Sequence, residues 1–78
     1  MIEVFKTNVR ARSHAKMLIS QIQNAFNGYE ANFDLDDDDN ILRIKSKTGI
    51  IQVSQIIALL KDFGFDARAL DDSCFNNR

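Results

Sequence analysis

The chain has no proline and no tryptophan, and it has only one cysteine and one histidine among its 78 residues. A single cysteine excludes an internal disulfide, which many small domains use for stability. Ten basic and eleven acidic residues leave a net charge of −1, which excludes a global attraction to nucleic acid or to an anionic membrane. No apolar run is longer than five residues, far below the roughly 20 that a membrane-spanning helix needs.

What the chain does contain is typical of a globular protein. A hydrophobic content of 45% with 27% charged residues excludes a disordered chain and a fibrous repeat. The length allows one domain with a single core. The first residues, Met-Ile-Glu-Val-Phe-Lys, show no basic and apolar leader, so we expect a soluble cytoplasmic protein.

Hydrophobic periodicity divides the chain into six elements. Apolar residues repeat with the helical period at positions 15, 18, 19, 22 and 26, and again at 53, 56, 57 and 60. We expect Ser13 to cap the start of the first helix, Gly28 to occupy its C′ position and Gly64 to end the second helix. The predicted strands are 2–9, 29–35, 41–45 and 65–70.

The order βαββαβ predicts an α+β fold of the ferredoxin-like type over residues 1–70, with 71–78 as a flexible tail. Right-handed crossovers give a four-stranded antiparallel sheet in the order 4-1-3-2, with both helices on one face. The loop after the first strand, the central hairpin and the loop before the last strand then lie at one end of the domain.

Residues 53–67 read Val-Ser-Gln-Ile-Ile-Ala-Leu-Leu-Lys-Asp-Phe-Gly-Phe-Asp-Ala, and Val9, Leu18 and Ile22 occupy further matching positions. Over about residues 3–70 this pattern resembles the heavy-metal-associated domain of copper chaperones and metal-pumping ATPases, whose second helix ends in a Gly-Tyr-Asp-Ala turn. The resemblance implies the same ferredoxin-like fold. It also implies that partner domains dock at the end where that family binds metal.

The metal motif of that family, Gly-Met-Thr-Cys-x-x-Cys, is missing. Ala11 and His14 stand where the resemblance places the two cysteines. Cu(I) prefers thiolates, and one imidazole cannot replace a pair of them. We therefore expect no cofactor and no transfer of Cu(I), and the resemblance supports the fold rather than the activity.

Basic residues surround the start of the first helix, at Arg10, Arg12, His14 and Lys16. Cations there oppose the helix dipole, and two arginines beside unbonded N–H groups suit a phosphate, a carboxylate or an acidic partner. A solvated basic loop is the alternative. His14 is also a metal candidate, but it would need a second ligand from the hairpin or from another chain.

Acidic residues dominate the central hairpin, which contains Asp34 and the run Asp36–Asp39. An EF-hand is excluded, because Asp39 stands at the sixth loop position and Lys45 at the twelfth. A weak Ca²⁺ or Mg²⁺ contact and a solvated turn that protects an edge strand both stay open. Two strand spacings separate the hairpin from the basic segment by about 10 Å, about one Debye length at 0.1 M salt, so the two clusters attract each other only weakly within one molecule. The alternative that we expect is a bipolar docking surface formed by both clusters.

The outer sheet face and Cys74 are the remaining candidates. If Phe5 and Val9 face the helices, then Ile2 and Val4, with Ile41, form an outward apolar strip that favours a homodimer through the sheet. No aromatic RNA-binding motif is present, so we expect no nucleic acid partner. Cys74 is expected at the opposite end from His14, without a structural task.

Catalysis has no support, because the chain has no nucleophile and base pair. We expect a non-enzymatic binding or adaptor module that docks a protein partner electrostatically. The alternatives are a metal-binding or metal-transport-related protein using His14 and the acidic hairpin, above all Asp36 and Asp38, or a small-anion sensor at the start of the first helix. The candidate binding residues are Arg10, Arg12, His14, Lys16, Asp36, Asp37, Asp38 and Asp39.

Overall fold

The computed structural model of the chain describes residues 1–36, 38–47 and 49–70. Its elements follow the predicted order βαββαβ. The strands are β1 (Ile2–Thr7), β2 (Tyr29–Asp34), β3 (Ile41–Ser46) and β4 (Ala67–Ala69), and the helices are α1 (Arg12–Ala25) and α2 (Val53–Asp62). The expectations for Asp37, for Cys74 and for the tail 71–78 lie outside the described residues.

The four strands form one antiparallel sheet in the order β2-β3-β1-β4, which confirms the predicted arrangement. Residues that pair directly across an antiparallel sheet point to the same face. Phe5 and Phe33 both lie opposite Leu42, so these three side chains share the face that the helices cover. Ile2 and Val4 belong to the other alternation of β1 and point outward, as predicted.

Both helices bury the apolar stripes that the sequence indicated. Leu18 and Ile22 of α1 and Ile56 and Leu60 of α2 are fully buried. α1 lies against β2, and α2 lies against β4. Burial of one such side chain contributes about 1.5–3 kcal/mol to folding. The core consists of Phe5, Val9, Ala15, Leu18, Ile22, Tyr29, Leu42, Ile44, Ile51, Ile56 and Leu60.

The outer sheet face is largely polar. Ile41 lies opposite Lys6 on this face and is only 6% exposed, yet it stands outside the core cluster. Ile2 is 60% exposed and Val4 is half-buried, so the outward apolar strip is short. A homodimer through this face stays a prediction. The exposed charged residues that share this face are Lys6, Glu30, Arg43, Lys45 and Arg68.

The start of α1 differs from the prediction. Arg12 is its first residue and Ala11 is the N-cap, with extended backbone (φ −90°, ψ 136°) and no side-chain hydrogen bond. The Ala11 carbonyl accepts from the Ala15 N–H at 3.0 Å, so the helical ladder begins before the serine. Ser13 therefore lies inside the first turn, and the expectation that it caps the helix was wrong.

The end of α1 also differs, by one position. Phe26 is the C-cap, so Gly28 (φ 88°) lies at C″ rather than at the predicted C′. The Phe26 carbonyl accepts from the Tyr29 N–H at 3.3 Å, which closes a turn with glycine at its third position. A positive φ at that position favours glycine, so the residue serves the turn and not the helix cap.

The end of α2 confirms the predicted glycine cap. Gly64 (φ 91°) follows the C-cap, and its N–H donates to the Lys61 carbonyl at 2.9 Å. The Phe65 N–H donates to the Leu60 carbonyl at 2.9 Å, which completes a Schellman motif. Because Phe65 belongs to this cap, β4 begins at Ala67 rather than at residue 65.

Candidate docking site at the charged end

Hydrogen bonds join three loops at one end of the domain, where the topology predicted them. The Asn8 N–H donates to the Asp66 carbonyl at 3.3 Å, and the Asp66 N–H donates to the Asn8 side-chain oxygen at 2.8 Å. Thr7 binds the hairpin in the same way, since its N–H donates to the Asp39 carbonyl at 3.3 Å and its hydroxyl to the Asn40 carbonyl at 2.7 Å. Backbone and side chains together therefore fix the positions of the loops that carry the charges.

Cations of the sheet pair with two aspartates of the hairpin. Lys6 lies 3.3 Å from the Asp39 carboxylate, and Arg43 lies 3.8 Å from the Asp34 carboxylate. These side chains are all partly exposed, so each pair contributes at most about 1 kcal/mol. These pairs offset the charges of Asp34 and Asp39, while no ion pair of the described residues reaches Asp36 or Asp38.

Arg10 and the middle of the hairpin share one cleft. Asp36 and Asp38 line it together with Leu35 and Asn40, and its volume is about 470 Å³. In the part of the chain that the structure describes, no ion pair joins Arg10 to either aspartate. The structure thus brings together the two clusters that the sequence predicted and leaves their charges open to solvent.

A second groove, with a volume of about 380 Å³, runs between α1 and β2. Arg12 and Lys16, one helical turn apart, line its α1 side, while Ile19 and Phe33 supply apolar surface. Asp36 lines this groove as well as the cleft beside Arg10, so the two depressions adjoin. The charged end is therefore a continuous furrow. Arg10, Arg12 and Lys16 line its side at the start of α1, and Asp34, Asp36 and Asp38 line its side at the hairpin.

His14 does not belong to this furrow. It follows Arg12 by two residues, which places it about 200° further around the helix. Its ring packs on Phe65 with the centroids 5.2 Å apart and the planes at 54°. His14 and the Arg12–Lys16 pair thus lie on opposite flanks of the buried stripe of α1. Within residues 1–36, 38–47 and 49–70, no three His, Cys, Asp or Glu side chains are grouped so that they could hold a metal ion.

Two polar side chains outside the furrow make long-range hydrogen bonds and were not singled out from the sequence. The Tyr29 hydroxyl accepts from the Gln52 N–H at 2.7 Å and donates to the Ile50 carbonyl at 3.3 Å, which ties the loop before α2 to the sheet. The Gln23 side-chain oxygen accepts from the Ala31 N–H at 3.2 Å, on the edge of β2. The sequence pattern marks Tyr29 only as a strand residue and Gln23 only as a polar helix residue, because their partners are fixed by tertiary structure.

The architecture defines the chain as a ferredoxin-like α+β domain. No protein-family model matches the chain, and neither a curated protein nor a solved structure matches it. Of the two helices in the described residues, neither is long and apolar enough to cross a membrane.

Proposed function

We propose that this domain is a non-enzymatic binding or adaptor module that docks a protein partner through its charged end. The observation that carries the proposal is the state of three cations. Arg10, Arg12 and Lys16 are exposed and line the furrow beside carboxylates, yet among the described residues none of them forms an ion pair.

The position of Arg10 and Arg12, at the very start of α1, is unfavourable for the isolated domain. A cation at a helix N-terminus opposes the helix dipole by about 0.3–1 kcal/mol when it is well placed. The first turn of α1 contains no acidic residue that would offset this effect. An acidic partner would relieve the unfavourable interaction on binding, so Arg10 and Arg12, which oppose the dipole of α1, would stabilise a complex together with Lys16.

The resemblance to heavy-metal-associated domains supports the same end of the molecule. In that family the corresponding end meets partner domains by electrostatic complementarity, and here it keeps its charges without the two cysteines. Ala11 and His14, at the positions of those cysteines, offer no thiolate. The proposal therefore retains the docking role and leaves out the transfer of Cu(I). We propose the cytoplasm as its location, which suits a sequence whose one cysteine, Cys74, has no second cysteine to pair with.

The test uses a partner that the full chain recovers by affinity purification and that is then purified for titration. Arg10→Glu combined with Arg12→Glu should lower the affinity at low salt by about tenfold or more and flatten its dependence on salt. The matched control is Arg68→Glu, an exposed arginine on the outer face of β4, which should change the affinity by less than about twofold.

If the double reversal and the control bind alike at low salt, the furrow is only solvated surface and the proposal fails. Loss of partner binding on chelation of divalent metal would instead favour the metal-binding alternative at the acidic hairpin, above all Asp36 and Asp38, without His14, which lies on the other flank of α1. Competition by inorganic phosphate alone would favour the small-anion sensor.

A further inference from the structure

The side of β2 that faces away from β3 has hydrogen-bond partners along only half of its length. Among the described residues β2 pairs with β3 alone, so its other side carries backbone groups that no strand meets. The Ala31 N–H on that side donates to the Gln23 side chain, and the Tyr29 N–H donates to the Phe26 carbonyl. Both closures lie in the first half of the strand.

The second half of the same edge is open and faces the groove beside α1. Backbone groups alternate between the two sides of a strand, so the N–H and C=O of Phe33 point to the same side as those of Ala31. The described residues supply no hydrogen-bond partner for the Phe33 N–H on that side. Phe33 lines the groove together with Arg12, Lys16 and Ile19. The open edge and the two cations therefore belong to one surface.

The charges of the groove indicate the chemistry of its occupant. Three cations line it, those of Arg12, Lys16 and Arg43. Two carboxylates, those of Asp34 and Asp36, line it as well. Asp34 is already paired with Arg43, 3.8 Å away. Beyond this pair, Arg12 and Lys16 on the α1 side exceed the one remaining carboxylate, Asp36, by one charge, next to the apolar surface of Ile19 and Phe33.

We propose that an extended segment of the partner protein adds a short strand to the second half of β2. This inference rests on the proposed docking function and names the segment that docks. The added strand hydrogen-bonds to the backbone of Phe33, places an apolar side chain against Ile19 and Phe33, and directs an acidic side chain toward Arg12 and Lys16. Main-chain bonds at a sheet edge give affinity in this mode, and alternate side chains give specificity.

A role in preventing aggregation is the competing explanation, because charged side chains beside an edge strand also keep it from pairing with a second copy. In that case, removal of Arg12 and Lys16 would make the chain self-associate through β2. In the proposed mode, removal weakens binding of an acidic segment and leaves the chain monomeric.

The experiment follows backbone amides of the full chain by NMR during titration with a defined probe. The probe, called the Val-Glu peptide, is a capped synthetic hexapeptide, Val-Thr-Glu-Thr-Val-Thr, whose Val and Glu side chains face α1 together when it extends the sheet. One control peptide carries Lys in place of Glu, and another carries N-methyl groups on the amides that face β2. The Phe33 amide should exchange its hydrogen at least about tenfold more slowly with the Val-Glu peptide, and neither control peptide should produce this protection.

Variants of the chain test the side-chain part of the proposal. Arg12→Gln with Lys16→Gln should weaken the affinity for the Val-Glu peptide about threefold to tenfold. Lys45→Gln, at an exposed position on the outer face of β3, should leave it within about twofold.

Absence of Phe33 protection at saturating peptide, or equal binding of the N-methylated peptide, would overturn strand addition. If the peptide then still binds through Arg12 and Lys16 in a salt-dependent way, the charged docking function survives that failure. Self-association of the double variant, measured by sedimentation, would also overturn the inference in favour of edge protection.

Discussion

The two helices of the domain begin in different ways. A helix start has four N–H groups without a partner in the helical ladder. At α2, the Gln52 N–H donates to the Tyr29 hydroxyl, and the Gln55 N–H donates back to the Gln52 carbonyl at 3.1 Å. At α1, none of the corresponding groups of residues 11–14 donates to another described residue.

The difference cannot be explained by local sequence. Neither helix has a side-chain cap, and neither has an acidic residue in its first turn. The start of α2 is closed by a tyrosine from the sheet, whereas the start of α1 is surrounded by Arg10, Arg12 and Lys16. At α2, two of the four N–H groups are thus bonded, one of them by tertiary structure, whereas at α1 none of them donates to a described residue. At the start of α1 we therefore expect a partner to supply acceptors for the N–H groups and negative charges for the cations.

The two helices differ at their starts but bury their apolar stripes equally well in the core. Leu18 of α1 and Leu60 of α2 are both fully buried. We expect Leu18→Ala and Leu60→Ala each to lower the free energy of unfolding by about 2–5 kcal/mol, measured by urea denaturation, because each leaves a cavity. Leu59→Ala, at a half-buried position of α2, is the control and should cost less. A Leu18 or Leu60 variant that unfolds near the parental midpoint would show that its stripe is misassigned.

Removal of the Tyr29 hydroxyl should make the start of α2 resemble that of α1. Tyr29→Phe leaves the Gln52 N–H and the Ile50 carbonyl without their partner and should destabilise the domain by about 1–3 kcal/mol. Hydrogen exchange at Gln52 should accelerate, while exchange in α1 stays near its parental pattern apart from the global change. Unchanged exchange at Gln52 would mean that the tyrosine does not close this helix start.

Addition of a cap should make the start of α1 resemble that of α2. Ala11 has the extended backbone that N-cap residues adopt. Ala11→Asp should therefore stabilise the domain by about 0.5–2 kcal/mol in thermal or urea unfolding, because its carboxylate can accept from an N–H in the first turn. Ala25→Asp, at the exposed C-terminal residue of α1, should give no such gain, since an anion there opposes the dipole. A destabilised Ala11→Asp protein would contradict the assignment of the cap position.

The smallest expected effect concerns the charge of the first residue of α1. Arg12→Glu replaces a cation that opposes the dipole with an anion that favours it and should stabilise the domain by about 0.3–1 kcal/mol at low ionic strength. The gain should shrink as salt is added. Arg68→Glu serves as the control for the change in net charge. Equal effects of the two variants at every salt concentration would show that the position of Arg12 at the helix start does not affect the stability of the domain.

The sequence predicts the features of this domain that depend on local periodicity. The helical stripes, including Leu18 and Leu60, follow from residue spacing alone, and the sheet order follows from topology rules applied to those elements. The proximity of Arg10 to the acidic hairpin was also predictable, because both lie in loops at one end. The cap at Ala11 was not, since the position of a helix start depends on how the preceding strand ends.

Contacts between residues far apart in the chain could not be predicted from the sequence. The Tyr29 hydroxyl meets a loop more than 20 residues away along the chain, and no periodic signal specifies that contact. His14 shared a segment with Arg12, and the sequence therefore grouped the two residues. The helical rotation between them turned one toward Phe65 and the other toward β2.

The hydrogen bonds of Thr7 and Asn8 have a thermodynamic consequence for any partner. They connect the β1–α1 loop to Asp39 and Asn40 of the hairpin and to the loop before β4, so these described segments are held in place before binding. Ordering of interface segments is one of the larger costs of association, and here most of it is already met during folding. Affinity at this end should depend mainly on desolvation and on the long side chains of Arg10, Arg12 and Lys16, whose rotamers remain to be fixed. Association should accordingly require little backbone rearrangement and be rapid.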